Sequence, residues 1–105
     1  MRQIEKQMLA AVKERRNWRS GNTEVTVRTD NYGCKHVEVR LHDNLIFKQN
    51  DAEDSAEFTL AGWNTPTTRS RLRALGIKVY QRDFSAYYNG RFIYKTDWYS
   101  CDTIK

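Results

Sequence analysis

The apolar residues near the amino terminus follow a helical pattern. They recur every three to four positions, at Ile4, Met8, Ala11 and Val12. That spacing places them on one face of a helix. No glycine or proline interrupts the segment before Gly21. The pattern predicts an amphipathic helix over residues 2–18 that ends at residues 20–22, because glycine readily takes the left-handed conformation that closes a helix.

After residue 22 the pattern alternates between apolar and polar positions. Such alternation is typical of strands with one face in the core and the other in solvent. It predicts strands at 23–29, 35–42, 45–48, 57–61, 77–81, 84–88 and 91–94, with a final edge strand within 97–104. Asp43 and Asn44 predict a tight turn, and Asn89-Gly90 predicts a type I′ hairpin turn.

A second short helix is predicted within the segment GWNTPTTRSRLRALG, residues 62–76. Thr65 is a suitable N-cap and Pro66 suits the first helical position, while Gly76 marks the end. Leu72 and Leu75 lie three residues apart and are expected to face the core. A helix of about ten residues is marginal alone, so it must dock on a sheet.

The order of elements favours a single α+β domain over residues 1–105. We expect a mostly antiparallel sheet of about five to seven strands, with the N-terminal helix and the second helix packed on one of its faces. The hydrophobic share of 39% allows one core. With no long apolar segment and no signal-peptide pattern, the sequence predicts a soluble, intracellular protein that does not bind membranes.

The net charge of +5 is unevenly distributed. Residues 1–22 carry six basic and two acidic groups, and residues 64–95 carry seven basic groups against Asp83. Residues 43–57 carry one lysine against five acidic groups. This asymmetry favours association with polyanions or acidic partners.

No motif for catalysis, a metal or a cofactor is present. His36 and His42 are six residues apart on one strand, about 20 Å, which is too far for a shared metal ion. The acidic segment 51–57 lacks EF-hand spacing and is expected to be solvated. Cys34 and Cys101 are expected to be free thiols, although a bridge between them is an alternative. We expect a protein that is not an enzyme and holds no cofactor or metal, with a small metal-dependent nuclease as the alternative.

Two basic segments are candidate binding sites. In the second helix, Arg69 and Arg73 are four residues apart and share a face, which we expect to be exposed, with the stem of Arg71 packed nearby. Such a face suits phosphate, but a solvated surface helix is the alternative. At the end of the first helix, the basic residues around Trp18 are Lys13, Arg15, Arg16 and Arg19. They suit phosphate contacts with stacking on Trp18, or else Trp18 attaches the helix end to the core.

Tyrosines crowd the carboxyl-terminal third of the chain. Tyr80, Tyr87, Tyr88, Tyr94 and Tyr99 lie there with Trp98. Tyr87, Tyr88 and Arg91 flank the hairpin turn and are candidate binding residues. The aromatic rings suit stacking on single-stranded nucleic acid or contact with a protein, and the alternative is packing within the fold.

Two motifs together resemble a known group of proteins. They are "NWRSGNTEV" with "VRLHDNLI", and "GWNTPTTRSRLRAL" followed by the tyrosine-rich hairpin. Over residues 17–99 the chain resembles small accessory proteins of tailed bacteriophages. The resemblance implies a protein made in the cytoplasm of a bacterial host, where such proteins bind and redirect host machinery or handle nucleic acid.

The sequence therefore leads to two functional hypotheses. The first is a non-enzymatic phage accessory protein that binds a host protein and inhibits or redirects it. The second is non-specific nucleic-acid binding through basic and aromatic surface residues. Both require the two basic segments and the aromatic rings to share one docking surface.

Overall fold

The computed structural model describes all 105 residues, which form two helices and nine strands. The helices are α1 (Gln3–Glu14) and α2 (Pro66–Ala74). The strands are β1 (Trp18–Ser20), β2 (Thr23–Thr29), β3 (Lys35–Leu41), β4 (Asn44–Asn50), β5 (Ser55–Phe58), β6 (Tyr80–Arg82), β7 (Ser85–Tyr88), β8 (Arg91–Ile93) and β9 (Tyr99–Cys101). The α+β class is confirmed.

The strands form two antiparallel sheets. The large sheet has the order β1-β2-β3-β4-β5-β9, and the small sheet has the order β6-β7-β8. The predicted edge strand near the carboxyl terminus is present as β9, which pairs with β5. The sequence predicted one sheet, but β9 occupies the free edge of β5 and the strands between residues 80 and 93 pair only with one another.

Alternation along β3 sets the core face of the large sheet. Val37, Val39 and Leu41 are buried, as predicted. The same core contains Phe47, Phe58, Leu60 and Met8 of α1. Ala86 and Ile93 of the small sheet belong to it too, so both sheets share one hydrophobic core.

The first helix is shorter than predicted. It ends at Glu14, and Arg15 takes a left-handed conformation with φ 54°. Trp18 then begins β1, where it pairs with Val25, and β1 pairs in register up to Ser20↔Thr23. Residues 21 and 22 therefore form a hairpin turn rather than a helix end. The helical spacing extended the prediction too far because it continued through the stem of Arg15, and Trp18 favours a strand.

The second helix begins and ends as predicted. The Thr65 side chain accepts a hydrogen bond from the Thr68 N–H, and Pro66 is the first helical residue. Leu72 and Leu75 are buried, and Gly76 has φ 88°.

Two hairpin turns can be compared with their predictions. The Asn89-Gly90 turn has two positive φ angles, as a type I′ turn requires. The β3–β4 turn lies at His42 and Asp43 rather than at Asp43 and Asn44.

Candidate functional site

The small sheet exposes an aromatic surface. In its ladder, Tyr80 lies opposite Tyr87, and Tyr87 lies opposite Phe92. Because paired residues share a sheet face, these three rings lie on the face opposite Ala86 and Ile93, which are buried. Tyr94 continues the row beyond β8. We call Tyr80, Tyr87, Phe92 and Tyr94 the aromatic strip.

The rings of the aromatic strip contact one another in sequence. Tyr80 and Tyr87 are stacked with centroids 5.6 Å apart. Phe92 lies edge-on to Tyr87 at 6.1 Å and to Tyr94 at 4.9 Å. Phe92 is 49% exposed and Tyr94 is 62% exposed, so the strip is a continuous aromatic surface in contact with solvent. Cross-strand aromatic pairing and exposure, which the sequence presented as alternatives, occur together here.

A phenylalanine stands at the tip of the β6–β7 hairpin. Asp83 and Phe84 form its two-residue turn between Arg82 and Ser85, which pair with each other. Both turn residues have positive φ, 49° and 67°. Bulky residues rarely adopt this conformation, which favours glycine or asparagine. Phe84 is nevertheless there, with its side chain 93% exposed.

Two tyrosines in this third of the chain, Tyr88 and Tyr99, pack toward the interior. Tyr88 packs edge-on against Phe58 at 4.9 Å, and Tyr99 lies 5.8 Å from Phe58. Burial raises the pKa of Tyr88. Tyr99 accepts a hydrogen bond from the Tyr94 N–H at 2.7 Å. Tyr88 therefore lies on the opposite face of the small sheet from Tyr87, and the structure does not bring these two candidates together.

Basic groups surround the small sheet. Lys78, Arg82, Arg91 and Lys95 are exposed around it. Arg82 has the same parity along β6 as Tyr80 and therefore shares the face of the aromatic strip, whereas Arg91 pairs with Tyr88 at the hairpin turn and shares the other face. The only carboxylate within residues 78–95 is Asp83. The exposed charges on the small sheet are thus mostly basic, and Arg82 lies on the same face as the aromatic strip.

The helix α2 presents its arginines differently from the prediction. Arg69, predicted to be exposed, is only 8% exposed, and Arg71 is 4% exposed. Arg73 is exposed, as predicted, and its Nη1 donates to the Val79 carbonyl at 3.1 Å. The prediction for Arg69 was wrong because the loop before α2 folds over it: its Nη1 donates to Asn64 Oδ1 at 2.5 Å.

Arg71 belongs to a buried polar network that the sequence did not reveal. Its Nη1 donates to Glu5 at 2.9 Å, and its Nε donates to Thr23 at 3.0 Å. Ser70 also donates to Glu5. Glu5 lies between the apolar positions 4 and 8 of α1. An acidic residue there does not by itself indicate burial, because its partner Arg71 is far away in the sequence.

The basic segment at the end of α1 is partly neutralised. Arg15 donates from Nε and Nη2 to both carboxylate oxygens of Asp51, at 2.7 and 3.0 Å. Arg16 donates to Glu14 at 3.1 Å. The acidic segment was predicted to be solvated, but Asp51 forms an ion pair with Arg15 at the end of α1.

The other candidates near the end of α1 divide between surface and interior. Lys13 and Arg19 are exposed. Trp18 is half-buried and packs against the hydrophobic core, as the alternative interpretation of this residue predicted. Arg15 lies ten residues beyond Glu5, about 15 Å along the helix axis. Because Glu5 contacts α2 and Asp51 holds Arg15, the basic segment at the end of α1 does not provide the shared docking surface that the sequence predicted.

The acidic residues, thiols and histidines outside the aromatic strip are described by their own contacts. No group of three or more His, Cys, Asp and Glu side chains is placed to hold a metal ion. Cys34 and Cys101 are free, and burial raises the pKa of Cys101 to about 12. His36 contacts Asp30 at 2.9 Å, which lowers the pKa of that carboxyl.

A groove of about 510 Å³ lies beside the amino-terminal end of α2. Its floor is apolar, with Leu41, Ile46 and Leu60, and the exposed ring of Trp63 forms one wall. Thr65 and Thr67 add hydroxyl groups at the rim. This groove is separate from the aromatic strip, whose residues do not line it.

The fold defines a small α+β protein whose small sheet exposes an aromatic strip and carries several exposed basic groups. Comparison with known families assigns its origin: the model of the Kyanoviridae Gp96 protein family matches residues 1–105. The chain belongs to this family of tailed cyanophage proteins, which confirms the predicted phage origin. Searches of curated proteins and of solved structures found no match. Neither helix combines the length and apolar character needed to cross a membrane.

Proposed function

We propose that this phage protein is a non-enzymatic binding module that docks on a host protein through the aromatic strip and Phe84, and thereby inhibits or redirects that protein in the host cytoplasm. The observation that carries the proposal is the exposed row of aromatic rings on the outer face of the small sheet. Aromatic residues and arginine supply most of the binding energy at protein interfaces. Membership in a phage family supports a host protein as the partner.

The chemistry of the surface specifies the kind of partner. Phe84 projects from a two-residue turn with its ring 93% exposed, which suits insertion into an apolar pocket of a partner. Arg82 and the other exposed basic groups around the small sheet favour a partner with acidic residues at the rim of that pocket. Conformational strain at an exposed Phe84 is also better explained by binding than by folding, because strained residues cluster at functional sites.

Affinity capture from a nuclease-treated host lysate tests the proposal. The wild-type protein should retain a host protein, and Tyr87→Ala with Phe92→Ala should lose it. Loss of a central aromatic anchor costs about 2 kcal/mol or more, some 30-fold in Kd. Tyr32→Ala is the matched control, because Tyr32 is exposed on the β2–β3 turn of the other sheet and is not part of the aromatic strip. If every protein that is captured from an untreated lysate is lost after nuclease treatment, the proposal is wrong.

Non-specific binding of single-stranded nucleic acid remains a second candidate. Arg73 favours it, because its guanidinium contacts the carbonyl of Val79, which directly precedes Tyr80 of the aromatic strip. A cation for phosphate therefore lies near the start of β6, the strand that carries the first ring of the aromatic strip, and bases stack on such rings. Binding of this kind should weaken by about 0.9 log units per phosphate contact for each tenfold rise in salt on duplex DNA, and somewhat less on single strands.

A further inference from the structure

Two nearly buried arginines on α2 have very different surroundings. Arg71 donates to the carboxylate of Glu5 and to Thr23. Arg69 donates only to the neutral amide oxygen of Asn64. Neither Arg69 nor Arg73 forms an ion pair with a carboxylate. A buried charge is normally paired, because its desolvation is otherwise uncompensated. Arg69 therefore lacks a counter-charge that the fold gives to Arg71.

Two donor atoms of Arg69 are unused. Its Nε and Nη2 donate no hydrogen bond within the chain. Every side-chain nitrogen or oxygen that is sealed from solvent in this protein has a partner. The Nε and Nη2 of Arg69 are therefore not completely sealed from solvent, although the side chain as a whole is largely covered.

These two atoms form the edge of the guanidinium that binds oxyanions. Arg15 uses the same edge in this protein, since its Nε and Nη2 hold the two oxygens of Asp51. Paired hydrogen bonds of this geometry are typical of arginine with carboxylate or phosphate. On Arg69 the equivalent edge is free.

Arg73 adds a second positive charge to the same face of α2. It follows Arg69 by four residues, so the two side chains are neighbours. Burial lowers the pKa of Arg69, and the charge of Arg73 lowers it further. Both effects disfavour the charged form of Arg69, and the negative charge of a bound anion would offset them.

We propose that Arg69 and Arg73 form a binding site for a phosphate group, with two phosphate oxygens on the Nε and Nη2 of Arg69 and a third on Arg73. Two guanidinium charges match a doubly charged tetrahedral anion better than chloride, which cannot accept the paired bonds. The group is either a free phosphate or part of a nucleic-acid backbone. The site does not depend on the proposed docking of a host protein, because no residue of the aromatic strip contributes to it.

Titration of the purified protein with inorganic phosphate tests this site directly. The melting temperature should rise with phosphate above the value in sodium chloride of equal ionic strength, since a ligand that binds the folded state stabilises it. A parallel titration with a short oligothymidylate separates the sources. Tighter binding of the oligonucleotide than of inorganic phosphate identifies a nucleic-acid backbone, and binding of inorganic phosphate alone identifies a free anion. No effect of either compound overturns the proposal.

Variants separate a binding role from a structural one. Arg69→Gln should weaken phosphate binding about 10-fold or more, because it removes charge-assisted hydrogen bonds. Arg73→Gln should also weaken it, and this exposed position keeps the test open if the first variant folds poorly. Arg69→Met should be at least as stable as wild type without phosphate, since it removes an unpaired buried charge while keeping the packing of the stem.

The control variants are Lys6→Gln and the strip variant Tyr87→Ala with Phe92→Ala. Lys6 is an exposed cation of α1, and its removal should leave phosphate affinity unchanged. The strip variant should keep phosphate binding even where it loses a host protein. An equal loss of phosphate affinity in Lys6→Gln and Arg69→Gln, or full affinity in Arg69→Gln, contradicts the proposal.

Discussion

Glu5 and Arg71 form a buried ion pair that joins the two helices. Arg71 Nη1 lies 2.9 Å from Glu5 Oε2, and both side chains are 4% exposed. Ser70 and Thr23 complete the hydrogen bonding, so the pair ties α1, α2 and β2 together. These contacts hold α2, which carries the candidate phosphate site and precedes the small sheet, against α1 and β2.

Removing one partner of this pair should destabilise the protein strongly. Arg71→Met leaves the Glu5 carboxylate buried without its cation, which costs about 3–5 kcal/mol. Urea unfolding followed by circular dichroism measures the change. The matched comparison is Arg69→Met, two residues away, for which we expect no loss. Equal losses in the two variants would show that the surroundings of these arginines do not differ as described.

The stability should fall in acid because of carboxylates with lowered pKa values. Burial raises the pKa of Glu5, but hydrogen bonds from Ser70 and Arg71 outweigh it and the net pKa is below 4.5. The Arg15 hydrogen bond likewise lowers the pKa of Asp51 below 3.8. Unfolded carboxyls bind protons more tightly than these folded ones, so their contribution is complete above pH 4.5 and is lost as pH falls through the lowered values.

Urea unfolding at several values between pH 7 and pH 3 measures this dependence. The free energy of unfolding should decrease most steeply below the ordinary pKa of glutamate. Glu5→Gln should give a less stable protein with a shallower dependence on pH. An unchanged slope in this variant would exclude Glu5 as a source of acid sensitivity.

Phe84→Gly should stabilise the protein while weakening its binding. Glycine takes positive φ without the steric cost of a side chain, which is about 1 kcal/mol for a bulky residue. The urea midpoint should therefore rise. Asn89→Gly is the control, because asparagine already tolerates the left-handed conformation and its replacement should give a smaller gain. A lower midpoint for Phe84→Gly would mean that the exposed ring supports the fold.

Cys101 should resist alkylation in the folded protein. Burial raises its pKa to about 12, with further contributions from Asp102 and Glu57, so very little thiolate is present at pH 8. In a Cys34→Ser variant, iodoacetamide should modify Cys101 only after unfolding in urea, as mass spectrometry would show. Rapid modification of the native variant would contradict this description of the thiol.

Local signals predicted much of the fold. The ends of α2 follow from Thr65, Pro66 and Gly76. The turn between β7 and β8 follows from Asn89-Gly90, because capping and turn chemistry act within a few residues. The separation of the small sheet was not predictable in this way. It depends on β9 pairing with β5 across some forty residues, a long-range choice that alternation within a strand does not encode.

The candidate site was predictable only in part. Tyrosine enrichment located the small sheet as the aromatic region, but only the register shows that Tyr87 faces solvent and Tyr88 faces Phe58. Helical spacing predicted one exposed face for Arg69 and Arg73, but only Arg73 is exposed, and the hydrogen bond from Arg69 to Asn64 of the preceding loop was not predictable from that spacing. Phe84 gave no signal in the sequence, since Asp-Phe is not a typical turn pair.

Photo-crosslinking in host lysate tests the central claim most directly. A benzophenone amino acid at position 92 lies in the aromatic strip, and at position 32 it lies on a turn of the large sheet where the native tyrosine is 91% exposed. After nuclease treatment and irradiation, position 92 should crosslink to a discrete host protein and position 32 should not. Crosslinks of equal yield to the same proteins from both positions, or none from position 92, would contradict docking through the aromatic strip.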